Sequence, residues 1–183
     1  MRAALRLLLV LASLLAPAAA RSQEAAETDA LAELAASLMA YEDGEWESRW
    51  EIFDADGEMV SEYVGTEVFT YTLDGKAALL ETRSEGQSSW SQAVRFYNPQ
   101  EKKIIFLSWS TEGDYWIMKQ DVETGVVQSE TKTLPDGREL ILRFTTVRKT
   151  EDEQDVVMET SLDGGATWTL RTRQYLRRAT GDA

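Results

Sequence analysis

Glu45-Trp46-Glu47-Ser48-Arg49-Trp50-Glu51-Ile52 (EWESRWEI) decides the fold class. Trp46, Ser48, Trp50 and Ile52 share one face of an extended chain, and Glu45, Glu47, Arg49 and Glu51 share the other. A period of two with one charged side is the signature of a half-buried antiparallel strand. The pattern continues downstream. Asp54-Ala55-Asp56-Gly57 turns the chain, a strand over 58–73 follows, and Asp74-Gly75 is a hairpin dipeptide. Further strands are expected near 76–84, 88–97, 103–110, 114–121, 125–133, 138–148, 155–162 and 166–178. Turn signals separate them: Glu85-Gly86, Asn98-Pro99, Glu112-Gly113, Thr124-Gly125, Pro135-Asp136-Gly137 and Asp163-Gly164-Gly165.

Ten strands joined by short loops imply an antiparallel meander. Left open, such a sheet would carry two long unpaired edges; closure removes both. The expected fold is therefore all-β: a roughly ten-stranded antiparallel up-and-down barrel with one N-terminal amphipathic helix. A two-sheet sandwich is the alternative, but it usually needs longer crossovers. In the 103–121 hairpin, a four-residue loop over Thr111–Asp114 would pair Ser110 with Tyr115 and set Trp109 opposite Trp116.

Upstream of residue 44 the period is helical. Leu31, Leu34, Ala35, Leu38 and Met39 form an apolar stripe, and Glu24, Glu27 and Asp29 suit the positive end of a helix over about 25–40. Earlier still, Arg2 and Arg6 precede the apolar run Leu7–Leu15, Pro17 breaks it, and Ala18-Ala19-Ala20 offers a cleavage site. The run falls short of the about 20 apolar residues that span a bilayer. The expected organisation is a signal peptide over 1–20, an N-terminal segment and helix over 21–43, a barrel over 44–178 and a tail over 179–183. The mature protein is expected to be exported, soluble, and periplasmic or secreted. A leader combined with no Cys favours a bacterial source.

The chain has 19 basic and 32 acidic side chains. Loss of Arg2 and Arg6 with the leader leaves a charge of −15. Such a field repels nucleic acid and anionic lipid, so no nucleic-acid binding is expected; no other apolar segment approaches spanning length, so no integral membrane association is expected after cleavage. With neither His nor Cys, there can be no Ser-His-Asp triad, no Cys-His pair, no zinc site of the usual N/S type and no histidine-ligated haem. No cofactor and no metal are expected, and acid–base work would fall to carboxylates, Lys or Tyr. Asp54-Ala55-Asp56-Gly57-Glu58 has the start of a calcium loop but lacks its distal bidentate Glu, and is taken as a turn. Thr150–Asp155 reads as a solvated acidic loop.

Ser161-Leu162-Asp163-Gly164-Gly165-Ala166-Thr167-Trp168 resembles the Asp box, S-x-D-x-G-x-T-W, of sialidase propellers. Turn chemistry accounts for every position, so Ser161, Asp163, Gly165 and Trp168 are expected to be structural and not sugar-contacting. One copy cannot make a propeller, which repeats every 40–50 residues or so.

Gly44-Glu45-Trp46 opens the first strand, and Arg177-Arg178 ends the last. This combination resembles the calycin group, lipocalins and fatty-acid-binding proteins among them. The resemblance implies that Gly44 and Trp46 close one barrel end and that a last-strand Arg packs over the indole. Arg178 is favoured over Arg177 because it shares a face with Trp168, Leu170 and Leu176. Over about 30–178 the chain is more closely similar to exported calycin-like barrels with a leading helix, a G-x-W, a mid-chain turn (Phe96-Tyr97-Asn98-Pro99) and a late S-x-D-G-G-x-T-W. That group has no established activity. The absence of His removes the proximal ligand of its haem-binding relatives.

Three functions stay open. The first is a binding module holding a small apolar or amphipathic molecule inside the barrel, lined by Trp50, Tyr63, Phe69, Tyr71, Trp90, Phe96, Trp109 and Trp116; the same residues could fill a solid core instead. The second is an enzyme using a carboxylate or Tyr, with Glu67 and Glu81 as candidates. The third is a non-catalytic envelope interaction protein. Oligomeric state is not encoded in any motif of the chain.

Overall fold

β1 (Gly44–Phe53) realises the opening alternation: Trp46 and Ser48 are buried, while Glu45, Glu47 and Arg49 are exposed. A computed structural model describes residues 26–73, 75–84 and 90–180, with Trp90 described by its backbone alone. The expected leader, the segment through residue 25, Asp74, the Glu85-Gly86 turn and residues 181–183 lie outside the described residues. After β1 come β2 (Met59–Thr72), β3 (Ala77–Ser84), β4 (Trp90–Asn98), β5 (Lys103–Ser110), β6 (Tyr115–Asp121), β7 (Val127–Ser129), β8 (Lys132–Thr133), β9 (Glu139–Arg148), β10 (Glu153–Ser161) and β11 (Thr169–Arg178).

Each strand pairs with its sequence neighbour except at β8, and every strand pairing is antiparallel. β7 passes directly to β9, and β11 returns to β1, where Trp46 lies opposite Arg178 and Ile52 opposite Thr172. The ring is a closed ten-stranded barrel. β8 hangs from β9 alone. Gly65, midway along the 14-residue β2, marks a close approach of strand backbones. A Cβ there would lie 2.1 Å from the Arg83 carbonyl oxygen, so only glycine fits.

Helix α1, residues 26–42, lies across one barrel end. Ala35 and Met39 are fully covered, and Leu31 and Leu38 pack beside them against Ala78, Ile104, Phe106, Met118, Val122 and Val127. Burying one Met side chain of this kind contributes about 1.5–3 kcal/mol. Leu34, counted in the apolar stripe, instead turns outward and is half exposed. A second cluster, Trp46 with Phe69 and Leu176, sits under Tyr41.

Two expectations of detail are corrected. The strand over 125–133 is broken: the Ser129 hydroxyl accepts the Leu142 N–H at 2.9 Å, replacing the main-chain ladder on that side, and β8 restarts after Thr131. The β5–β6 hairpin is slipped by one residue relative to the expected register. The Ser110 N–H donates to the Asp114 carbonyl at 2.9 Å around a three-residue loop, with Gly113 at φ +86°. Trp109 therefore pairs with Tyr115, and Trp116 with Ser108. A one-residue slip sends a side chain to the other face, so the two tryptophans end on opposite sides of the wall.

Candidate functional site

At the helix end, the barrel is sealed by residues far apart in sequence. The Arg178 guanidinium lies 4.4 Å from the centre of the Trp46 ring. It donates to the carbonyls of Asp43 (2.7 Å) and Tyr41 (2.8 Å) and to the Asp152 carboxylate (3.2 Å). The Trp46 indole N–H donates to the Glu42 carbonyl at 2.8 Å. Arg148 donates to the Leu38 carbonyl at 3.4 Å while lying over the Tyr41 ring. A helix ends with unpaired carbonyls. Here strands β1, β9 and β11 supply the missing donors, which fixes the helix to the ring. Gly44 leaves room for Arg178, whose Nη1 lies 3.3 Å from where a Cβ would stand. Arg177 points outward, near Glu153 at 3.9 Å.

Below this seal, the inward faces of the strands line a cavity of about 220 Å³. Its apolar wall includes Trp50, Phe69, Leu80, Phe106, Met118, Val127, Phe144, Val156 and Leu176. Its polar wall is larger than the sequence suggested: Glu42, Glu67, Arg95, Gln120, Gln154 and Gln174 all face the same space.

Arg95 is 3% exposed. Its charge is matched by an ion pair with Glu42, its Nη2 donates to Gln120 Oε1 at 3.3 Å, and its guanidinium lies 4.4 Å from the Phe106 ring centre. Its Nε–H has no partner. Gln154, 1% exposed, likewise has an unpartnered Oε1. Glu67 accepts a bond from the Gln174 amide. Burial pushes the Glu67 carboxyl from 4.5 up to about 7; the Gln174 bond opposes that rise, Glu42 adds to it, and Arg95 offsets part of it.

The expected lining residues divide. Trp50 and Phe69 line the cavity. Tyr63 stacks on Trp50, centroids 5.7 Å apart and planes 15° from parallel. Tyr71 turns to the helix, its hydroxyl bonded to the Ala36 carbonyl. Trp116 is half-buried against the helix-side cluster, with the Lys132 ammonium 4.6 Å from its ring centre. Trp90 begins β4 opposite Arg83. Phe96 and Trp109 are corrections. Arg95 faces inward, so Phe96 next to it faces outward; Trp109 is 44% exposed and lines an outer groove with Val68 and Leu79.

Glu81 is also outside. It lines that outer groove, bonded to Gln92 and Arg83, and its carboxyl is held below the usual range by those bonds, Gln92 first. Arg95, Gln120, Gln154, Gln174 and Glu42 were missed. The available signal was parity: two residues apart on a strand, Arg95 shares a face with Ala93, Gln154 with Val156, and Gln174 with Leu176.

The Asp-box residues are occupied by their own turn. Asp163 Oδ1 accepts from the Ser161 hydroxyl (2.7 Å) and the Thr167 N–H (2.9 Å), and Oδ2 accepts from the Thr167 hydroxyl (2.6 Å). These bonds, the Thr167 hydroxyl foremost, hold the Asp163 carboxyl down at about 2. Ser161 Oγ accepts the Gly165 N–H, Gly165 lies against the Trp168 ring, and Arg143 lies over that ring 3.9 Å from its centre. Asp54 Oδ1 similarly accepts the N–H groups of Asp56 and Glu58. No group of Asp and Glu among the described residues is arranged to hold a metal ion, and no described helix is long and apolar enough to cross a membrane.

No protein-family model matches the chain, and no curated protein matches it. Among solved structures, it is similar to a de novo designed β-barrel from the design of a fluorescence-activating barrel. Identity is 16%, the TM-score is 0.41, and the match covers 76% of this chain and 95% of that one.

Proposed function

We propose that this chain is an exported calycin-like barrel that holds a small amphipathic molecule in its interior. The observation that carries the reading is the cavity of about 220 Å³, whose apolar wall is interrupted by the buried polar side chains Glu67, Arg95, Gln120, Gln154 and Gln174. A solid-core barrel would fill this space with apolar side chains. Binding pockets instead combine an apolar lining with a few placed polar groups. Export rests on the leader-like sequence of residues 1–20.

Native mass spectrometry of protein purified from its own source tests the reading. A retained mass that is released on denaturation is the expected result. Repeated recovery of the bare polypeptide mass, with no small molecule released, would overturn it. A second reading, acid–base catalysis, is favoured by one observation: Glu67 faces the cavity with its carboxyl raised to about 7, where a general acid or base works best near neutral pH.

A further inference from the structure

We propose that the cavity takes a small primary amine on a short apolar tail and holds its ammonium head against the carboxylate of Glu67. This rests on the binding reading above and adds the chemistry of the head group.

Glu67 is 5% exposed and lines the cavity. Its two oxygens differ. Oε1 accepts from the Gln174 amide. Oε2 has no hydrogen bond among the described residues, and it is not shut off from water as Arg95 Nε and Gln154 Oε1 are.

The charge around Glu67 is unbalanced. Its neighbours in register, Trp46 on β1 and Thr82 on β3, carry none. Among the described residues, the other charged side chains on the cavity wall are Glu42 from α1 and Arg95 from β4, and these two pair with each other. At Glu67 the repulsion from Glu42 outweighs the attraction of Arg95. Tyr63, on the same strand, stays neutral: burial first and Glu67 second push its hydroxyl above the ordinary value. An ionised Glu67 therefore leaves one negative charge on the wall uncompensated. A carboxylate head would add a second, and an uncharged head would leave it unmatched. An ammonium balances it. Burial of Glu67 is already part of folding, so on binding the ammonium alone gives up its hydration.

The aromatic wall favours the same head. Gln174 sits opposite Trp50 in the β1–β11 register and donates to Glu67, so it joins the carboxyl to the ring. The Trp50 indole N–H is spent on the Ser48 hydroxyl at 3.0 Å, and Tyr63 stacks on the ring. What Trp50 offers the cavity is π surface, which attracts a cation. Outside the barrel, the excess of acidic over basic side chains, 32 against 19, draws cations toward the protein.

Size limits the tail. An apolar cavity of about 150 Å³ takes benzene. Scaling to about 220 Å³ gives roughly nine heavy atoms, room for hexylamine.

The experiment compares three probes with one tail, hexylamine, hexan-1-ol and hexanoate, by calorimetric titration of the full mature chain. At pH 8 hexylamine is expected to bind at least tenfold more tightly than the other two. Only ionised Glu67 pairs with the ammonium, and its carboxyl is raised to about 7. Hexylamine affinity should therefore climb about thirtyfold between pH 5.5 and pH 8, in step with the ionised fraction. Hexan-1-ol should show no such rise. Surface carboxylates titrate near pH 4 or so, and pairing with them would be complete before this range begins. Glu67→Gln should weaken hexylamine at least tenfold at pH 8 and abolish the rise.

If hexan-1-ol or hexanoate binds as tightly as hexylamine, the head-group assignment fails while the binding reading stands. A flat hexylamine profile between pH 5.5 and pH 8, or full hexylamine affinity in Glu67→Gln, would overturn it too. The wild-type profile decides the matter even if the variant does not fold. If none of the three binds, the assignment fails, and native mass spectrometry decides the binding reading separately.

Discussion

Replacing Glu67 by Gln should make this protein more stable at neutral and alkaline pH, and the gain should vanish in mild acid. Glu67 is buried, and its carboxyl rises from 4.5 to about 7 on folding. Between those values the folded chain holds a proton that the unfolded chain has released, so stability falls as pH rises. The contribution is fully present below 4.5 and is lost as pH passes through about 7. Each tenfold change in proton affinity corresponds to about 1.4 kcal/mol, and the two values lie about 2.5 such steps apart. The wild-type chain should therefore lose about 3 kcal/mol between pH 4 and pH 8 through this one group. Gln is nearly isosteric with the protonated acid and keeps an oxygen for the Gln174 amide, so Glu67→Gln should match wild type at pH 4. At pH 8 it should be the more stable by about 3 kcal/mol. Urea unfolding of both proteins across this range measures the difference directly. Titrations of surface carboxylates are common to the two chains and cancel. A difference that stays flat with pH, or that favours wild type at high pH, would refute the reasoning.

At the sealed end, Trp46→Ala should cost about 3–5 kcal/mol because the indole is fully buried. Arg178→Ala should cost about 2 kcal/mol or less through its ring contact. The double mutant should depart from additivity by at least ~0.5 kcal/mol, since the residues touch; denaturation curves of the four proteins give the cycle, and strict additivity would deny the coupling. Asp163→Ala should lower the urea midpoint at pH 7 and leave affinity for any interior ligand unchanged; altered binding with unchanged stability would show that the turn serves recognition. The stabilising effect of Asp163 should fade in wild type as pH falls through about 2, because its folded carboxyl is held low. N-terminal sequencing of the mature protein should begin near Arg21, and intact Met1 in a soluble cytoplasmic fraction would contradict export.

The barrel was legible because its signals are local. Strict alternation in 45–52 and turn pairs such as Asp163-Gly164 are read within a few residues, and short loops leave little choice of topology. Closure followed from the cost of open edges, and Trp46 opposite Arg178 is where it occurs. The cavity was not legible, because its polar partners are distant. Arg95 is tolerated inside because of Glu42, 53 residues earlier, and Glu67 meets Gln174 across 107 positions. A sequence reading that assigns aromatics to the interior therefore placed Phe96 inside and overlooked its neighbour. Trp109 of the β5–β6 hairpin was misplaced for a smaller reason: Gly113 permits a shorter loop than the turn pair suggested, and one residue of slip sets it on the face opposite to Trp116.

A closed ring opens first along its shortest seam. β7 is held to β6 at three paired positions and to β9 at two, while every other seam in the ring has seven or more. Transient parting of β7 from β9 breaks few backbone bonds, leaves the remaining strands as one continuous sheet and exposes Val127 and Phe144, both on the cavity wall. In a hydrogen-exchange experiment, the amides of 127–129 should take up deuterium well before those of β1 and β11, although all belong to the same wall. Breathing of this kind would give a small molecule a lateral way into the barrel, with the helix end still shut.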